Sequence, residues 1–164
     1  MSDEPEPQEI SQPVHTAEEA HNLEVTRAMV NAYSTGDRSV VAQFVDPELR
    51  SNSPRPAGTQ RLENEIDLQK SSFGDITFRE EVTIADGDKV FLAWVATGTD
   101  TGGIFGRPPT GLQFELHGGE VIRFRNGLIV EHWDHWLKPR LESLILIDAL
   151  DDDVIASLRS GGML

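Results

Sequence analysis

The sequence predicts an α+β fold. We expect a cone-shaped α+β barrel: a curved antiparallel sheet with helices packed on its concave face, enclosing a cavity. Three observations lead there. Three segments between residues 16 and 72 have helical spacing. After Gly74 the pattern changes to long runs of strand-forming residues. Those runs are joined at Asp86-Gly87 and Asn126-Gly127, dipeptides that favour tight hairpins. A sheet of this kind buries one face against helices, and short helices on a bent sheet leave space between them.

Thr16 and Glu19 have the spacing of a capping box and open a first helix. Leu23, Arg27, Val30 and Tyr33 continue it, and Gly36 in "STGD" ends it. "RSVVAQFVD" reads as a short second helix that stops before Pro47. "PELRSNSPRPAG" is a loop or short strand. "TQRLENEIDLQKSS" is a third helix, with Leu62, Ile66 and Leu68 as its apolar marks. Two hairpins follow, separated by the Gly- and Pro-rich loop "TGGIFGRPPTG". Gly118-Gly119 in mid-strand is expected to mark a bulge or bend. "RLESLILIDALDDDVIASLRS" reads as a last helix. The domain plan is therefore a flexible acidic tail over residues 1–15, one α+β domain over 16–158, and a frayed end over 159–164.

The chain has 164 residues, no cysteine and a net charge of -14. Its acidity argues against nucleic acid or an anionic membrane as the main partner. The missing cysteine excludes a disulfide framework, a thiolate zinc site and a cysteine nucleophile. "MSDEPEPQEISQP" lacks the apolar run of a signal peptide, and no stretch is long and apolar enough to span a membrane. A soluble, cytoplasmic protein is the expectation.

The stretch "VEHWDHW", Val130–Trp136, concentrates the polar candidates. Which of them share a face depends on the hairpin at "FRNGL". A two-residue Asn126-Gly127 loop makes Arg125 face Leu128 and puts Glu120 and Asp134 on different faces. A three-residue loop, with Gly127 as a G1 bulge, puts Glu120 opposite His132 and Ile122 opposite Val130. Phe114, Leu116, Glu120, Ile122 and Phe124 then share a face with Val130, His132, Asp134 and Trp136. Arg123 falls diagonal to Glu131 on the other face, a favourable charge pair. One residue of slip reverses the assignment, and the side-chain pattern favours the bulged form.

Three motifs in this half carry a resemblance. They are Gly98-Thr99-Asp100-Thr101-Gly102 with Pro108-Pro109-Thr110-Gly111, then Arg123-Phe124-Arg125-Asn126-Gly127, then Ile129-Val130-Glu131-His132-Trp133-Asp134. The chain resembles the SnoaL-like polyketide cyclases, of the nuclear transport factor 2-like superfamily of cone folds. The resemblance implies that Asp134 is the acid/base for ring closure on an aromatic polyketide, with Glu120 assisting from the neighbouring strand. It also favours the bulged register. Family members commonly carry histidine at the positions of Asp100 and Asn52.

Ring closure of the intramolecular aldol type needs a base for an activated C–H and donors for the developing oxyanion. Two close carboxylates tend to share one proton. Asp134 is therefore expected as the ionised base, Glu120 as a neutral donor and His132 as an orienting or relaying group. Trp136, Asn52, Phe114, Ile122 and Val130 are the expected substrate-binding residues. No cofactor or metal is expected: His117, His132 and His135 do not form a zinc set, because His135 alternates away from His132. Trp94 and Phe91 read as core packing. The expected partner is an apolar, oxygenated small molecule, without nucleic acid or membrane. The outer sheet face carrying Trp133 is the usual dimer surface of the superfamily, which implies a homodimer. The alternative readings are a non-catalytic binding or dimerisation module, or a hydroxylase- or isomerase-like member of the family.

Overall fold

A computed structural model describes residues 14–51, 58–103 and 108–135. Helices α1 (Ala17–Thr35), α2 (Ser39–Phe44) and α3 (Thr59–Ser72) precede or flank strand β1 (Val45–Ser51). Strands β2 (Thr77–Asp86), β3 (Lys89–Thr99), β4 (Gln113–Arg125) and β5 (Leu128–His135) follow. They form one five-stranded sheet in the order β1-β5-β4-β3-β2. The expected C-terminal helix and both chain ends lie outside the described residues.

Local signals set α1. The Thr16 hydroxyl accepts from the Glu19 amide at 3.2 Å, and the Thr16 amide donates to the Glu19 carboxylate at 2.8 Å. Gly36 closes the helix with a left-handed φ of 82°, a conformation glycine adopts without penalty. The first turn of α1 also grips both hairpin tips. Glu19 accepts from the Gly87 amide, Asn22 Nδ2 donates to the Gly87 carbonyl at 3.2 Å, and His21 Nε2 donates to the Gly127 carbonyl at 3.2 Å.

Beneath these grips lies the main core. Leu23, Val25, Met29, Val41, Leu49, Leu62 and Ile66 from the helical side and β1 meet Val90, Ile122, Phe124 and Ile129 from the sheet. Each such side chain contributes about 1.5–3 kcal/mol when fully buried. Leu68 differs from the sequence reading and is exposed. The third helix instead turns Leu62, Glu65, Gln69 and, just past its end, Phe73 to the interior space.

The sheet is mixed rather than wholly antiparallel, because β1 pairs in parallel with β5. Pro47 lies inside β1, between the paired ends Val45↔Ile129 and Arg50↔Glu131, where the register shifts. An edge strand tolerates a proline because it needs donors on one side only.

The β4–β5 hairpin follows neither simple register. Asn126 (φ 54°) and Gly127 (φ 78°) make a two-residue turn with both residues left-handed, as a type I′ turn requires. Arg125 pairs with Leu128 and Phe124 with Ile129, but Arg123 then pairs with Glu131. The extra residue is Val130, three positions beyond the turn. The expected G1 bulge at Gly127 is therefore corrected to a bulge at Val130. Beyond it Ile122 pairs with His132 and Glu120 with Asp134. Ile129 takes the inward position expected for Val130. Arg123 lies directly opposite Glu131 and donates to its carboxylate at 3.1 Å.

Gly118-Gly119 marks no bulge, since β3 and β4 pair without interruption from Lys89↔Arg123 to Thr99↔Gln113. Gly118 has another purpose. A Cβ there would lie 2.1 Å from Trp94 Cζ2, so the indole rests on the bare backbone of β4. Gly118→Ala is predicted to displace the indole and lower stability by about 1–3 kcal/mol, the usual cost of overpacking. Urea unfolding followed by tryptophan fluorescence measures both effects; an unchanged midpoint and spectrum would contradict the packing role.

The loop motif is a structural clamp. Asp100 is buried and accepts from the Gly103 amide at 2.9 Å, the Thr110 amide at 3.0 Å and the Thr110 hydroxyl at 2.8 Å. Gly102 passes so close to the end of α3 that a Cβ would meet the Ser71 carbonyl at 1.9 Å. Burial pushes the Asp100 carboxyl up, but the bonds from Thr110 and Gly103 outweigh it and hold it below the usual aspartate value. A lowered folded-state pKa contributes stability that is full above the unfolded value and is lost as pH falls through the folded one. Wild type is therefore predicted to lose stability on acidification below about pH 4. Asp100→Asn should lose part of that dependence, and Asp100→Ala should cost about 1–3 kcal/mol at neutral pH by orphaning buried donors. Thermal unfolding across pH checks this; parallel profiles for wild type and Asp100→Asn would refute it.

Candidate active site

A cavity of about 110 Å³ lies between the helices and the concave face of the sheet. Its wall is largely aromatic and aliphatic. Tyr33 comes from α1, Phe73 from the end of α3, Phe78 from β2, Trp94 from β3 and Phe114 from β4. The rings brace one another. Tyr33 and Phe78 have centroids 5.6 Å apart, Phe78 and Trp94 5.3 Å, and Phe73 and Phe114 4.6 Å. These tilted and edge-on contacts are the favoured aromatic geometries. Met29, Leu62, Ile76, Leu116, Ile122 and Ile129 complete the apolar surface.

Among the described residues, four acidic, basic or amide side chains interrupt it: Glu65 and Gln69 on the α3 wall, Glu120 and His132 on the sheet wall. Glu65 is ion-paired with Arg61 at 3.4 Å, one helical turn away. On the sheet, His132 Nε2 is hydrogen-bonded to a Glu120 carboxylate oxygen. Both are largely buried. The two are not a directly opposed pair but diagonal neighbours on one face, Glu120 two pairs away from Ile122↔His132. The Val130 bulge produces that placement. A hydrogen bond between a carboxylate oxygen and an imidazole nitrogen requires one proton between them. The pair can therefore deliver or receive a proton within an apolar wall, where electrostatic interactions are strengthened.

Phe114 and Ile122, expected to bind substrate, line the cavity. Val130 is buried but gives its place on the wall to Ile129. The backbone of Asp134 pairs with Glu120, while its side chain lies outside the described part of the molecule. Trp136 and Asn52 also lie outside it. Trp94, read as core packing, is buried and forms part of the cavity wall as well. Phe91 is exposed, on the outer face.

Sequence reasoning missed Tyr33, Phe73, Phe78, Glu65 and Gln69 as wall residues. A signal was available for two of them. Glu65 and Gln69 follow Leu62 at three and seven residues and precede Phe73 by eight and four, so they share an otherwise apolar helical stripe. The outer face carries a separate charge network. Glu131 is 8% exposed, and besides Arg123 it meets Arg50 at 3.6 Å. Arg123 also donates to Asp88 at 2.9 Å. These contacts hold the edge of the sheet on the side away from the cavity.

Among the described residues, no cluster of three or more His, Cys, Asp or Glu is arranged to hold a metal ion. No helix among them is long and apolar enough to cross a membrane.

Comparison with known proteins agrees with this architecture. The chain is 27% identical over 118 residues to the aklanonic acid methyl ester cyclase DnrD of Streptomyces peucetius, covering 68% of this chain and 81% of that one. Among solved structures, AclR of Streptomyces galilaeus superposes with a TM-score of 0.67 at 25% identity, over 79% of this chain and 96% of that one. TsrD of Streptomyces laurentii superposes with a TM-score of 0.68 at 23% identity, over 76% and 94%. The family description "SnoaL-like polyketide cyclase" matches residues 23–141. With that match over most of its length, the chain belongs to the SnoaL-like polyketide cyclase family.

Proposed function

We propose that the protein catalyses cofactor-free ring closure of a polyketide-like aromatic molecule in this cavity. One observation carries the reading: a proton-sharing Glu120–His132 pair set into an aromatic wall. In an intramolecular aldol closure a base removes a proton from a carbon next to a carbonyl. The resulting enolate carbon forms a C–C bond to a second carbonyl carbon. The new alkoxide then takes up a proton, so substrate and product are isomers. Asp134 is assigned as the base, at the strand position opposite Glu120. The Glu120–His132 pair donates to the oxygen that gains charge. Apolar walls exclude water and favour a flat, oxygenated ligand.

Aklanonic acid methyl ester, named for the relative's activity, is the first probe. Incubation with the full chain should convert it to a product of equal mass and different retention in liquid chromatography. Asp134→Asn and Glu120→Gln should each lower kcat by about 10² to 10⁴ with little change in KM, the usual range for removing a general acid or base. If Asp134→Asn turns over as fast as wild type, the base assignment fails. If the ester binds but no variant, nor wild type, converts it or its close analogues, a binding-only role replaces the enzymatic one. A product heavier by one oxygen would favour the hydroxylase-like reading.

The homodimer reading rests on the convex sheet face. Ile84, Phe91, Val121 and Trp133 are paired in register, one on each of β2, β3, β4 and β5. Ile84 is 57% and Phe91 41% exposed. An apolar row of this kind suits a second copy of the sheet. Light scattering after size exclusion should give twice the chain mass, and Phe91→Asp should shift it toward one chain. A wild-type monomer would count against the dimer.

A further inference from the structure

The α3 wall holds a polar atom that the proposed chemistry leaves unused. Gln69 lines the cavity, and its Oε1 is buried without a hydrogen-bond partner. Its neighbours on the wall are differently placed. Glu65 is held by Arg61, and Glu120 is held by His132. Gln69 sits one helical turn before Phe73, whose ring packs against Phe114. A buried carbonyl oxygen without a donor costs stability. In native proteins such an atom calls for an explanation, and beside a cavity a ligand group that becomes its partner is one. The residue borders a cavity walled by aromatic rings, which favours a partner that is itself a flat molecule.

We infer that Gln69 Oε1 is a specificity-determining acceptor that reads a hydroxyl group on the bound ligand. The preferred ligand is then a hydroxylated aromatic molecule, oriented between Gln69 on the helical wall and the Glu120–His132 pair on the sheet wall. The inference rests on the cavity being the ligand site, but not on any reaction occurring there. A site built to receive a hydroxyl rejects an analogue lacking it, because its own acceptor stays buried and unpaired.

Matched probes separate these claims: 2-naphthol, naphthalene and 1,4-naphthoquinone, titrated against the full-length protein by calorimetry. Wild type should bind 2-naphthol at least tenfold more tightly than naphthalene. Gln69→Leu should weaken 2-naphthol about tenfold while leaving naphthalene equal or tighter. Gln69→Met, which keeps side-chain length without the amide, should behave alike and guards against a packing artefact. The unliganded Gln69→Leu protein should melt at or above the wild-type temperature, since an orphaned polar atom is removed. Equal preference in wild type and both variants would overturn the role of Gln69 while leaving the cavity as a ligand site. Tighter binding of the quinone than of the naphthol, lost in Gln69→Leu, would overturn the acceptor assignment. Failure of all three probes to bind wild type would overturn both the inference and the cavity reading.

Discussion

The architecture of the candidate site depends on one extra residue in β5. Strand side chains alternate, so an unbroken pairing from the Asn126-Gly127 turn would put His132 and Glu120 on opposite faces. Val130 is inserted between Ile129↔Phe124 and Glu131↔Arg123, and the alternation reverses beyond it. Before the bulge, Ile129 contributes to the apolar core beside Phe124. After it, His132 joins Glu120 on the cavity wall while Glu131 meets Arg123 and Arg50 outside. Bulges recur next to functional sites because they re-aim a side chain at the cost of one ladder pairing. Here the type I′ turn fixes the start of the register, and the outer charge cluster favours the shifted continuation over the unshifted one.

Around that pair, the helices and loops act as scaffolding. Glu19, His21 and Asn22 on α1 hold the tips of both hairpins. Asp100 ties the two halves of its loop together and docks it beside the end of α3, where the Gly102 amide donates to the Ser72 carbonyl at 2.9 Å. Asp100 thus has its carboxylate fully occupied by its own loop. It serves as an anchor for the wall. Among the described residues, the acidic, basic and amide groups that face the cavity are Glu120 and His132 on the sheet and Glu65 and Gln69 on α3.

Features with local causes were readable from the sequence. Thr16, Glu19 and Gly36 bound α1 because capping and left-handed closure involve residues within one turn. The Asn-Gly turn was readable for the same reason. Its consequence was not, because the bulge sits at Val130 and is chosen by partners on another strand, among them Arg123. Strand β1 reads as a loop or short strand in the sequence because its partner, β5, lies some 80 residues later and Pro47 obscures the pattern. Gly118 reads as the mark of a bulge or bend from the sequence alone, because the reason for it, Trp94, is on the facing strand. Leu68 counts as an apolar mark by its side chain, but its angle around the helix turns it outward, while Glu65 and Gln69 fall on the inward stripe of α3. The faces of Glu120 and His132 came out as expected, although through a different bulge.

The central claim is that the Glu120–His132 pair moves a proton during turnover on the cavity wall. The most direct measurement is the pH dependence of single-turnover ring closure in wild type, Glu120→Gln and His132→Asn. The account predicts an inflection in wild type that is displaced or abolished by either substitution, with substrate affinity at saturating pH nearly unchanged. Superimposable pH profiles in all three proteins would contradict it.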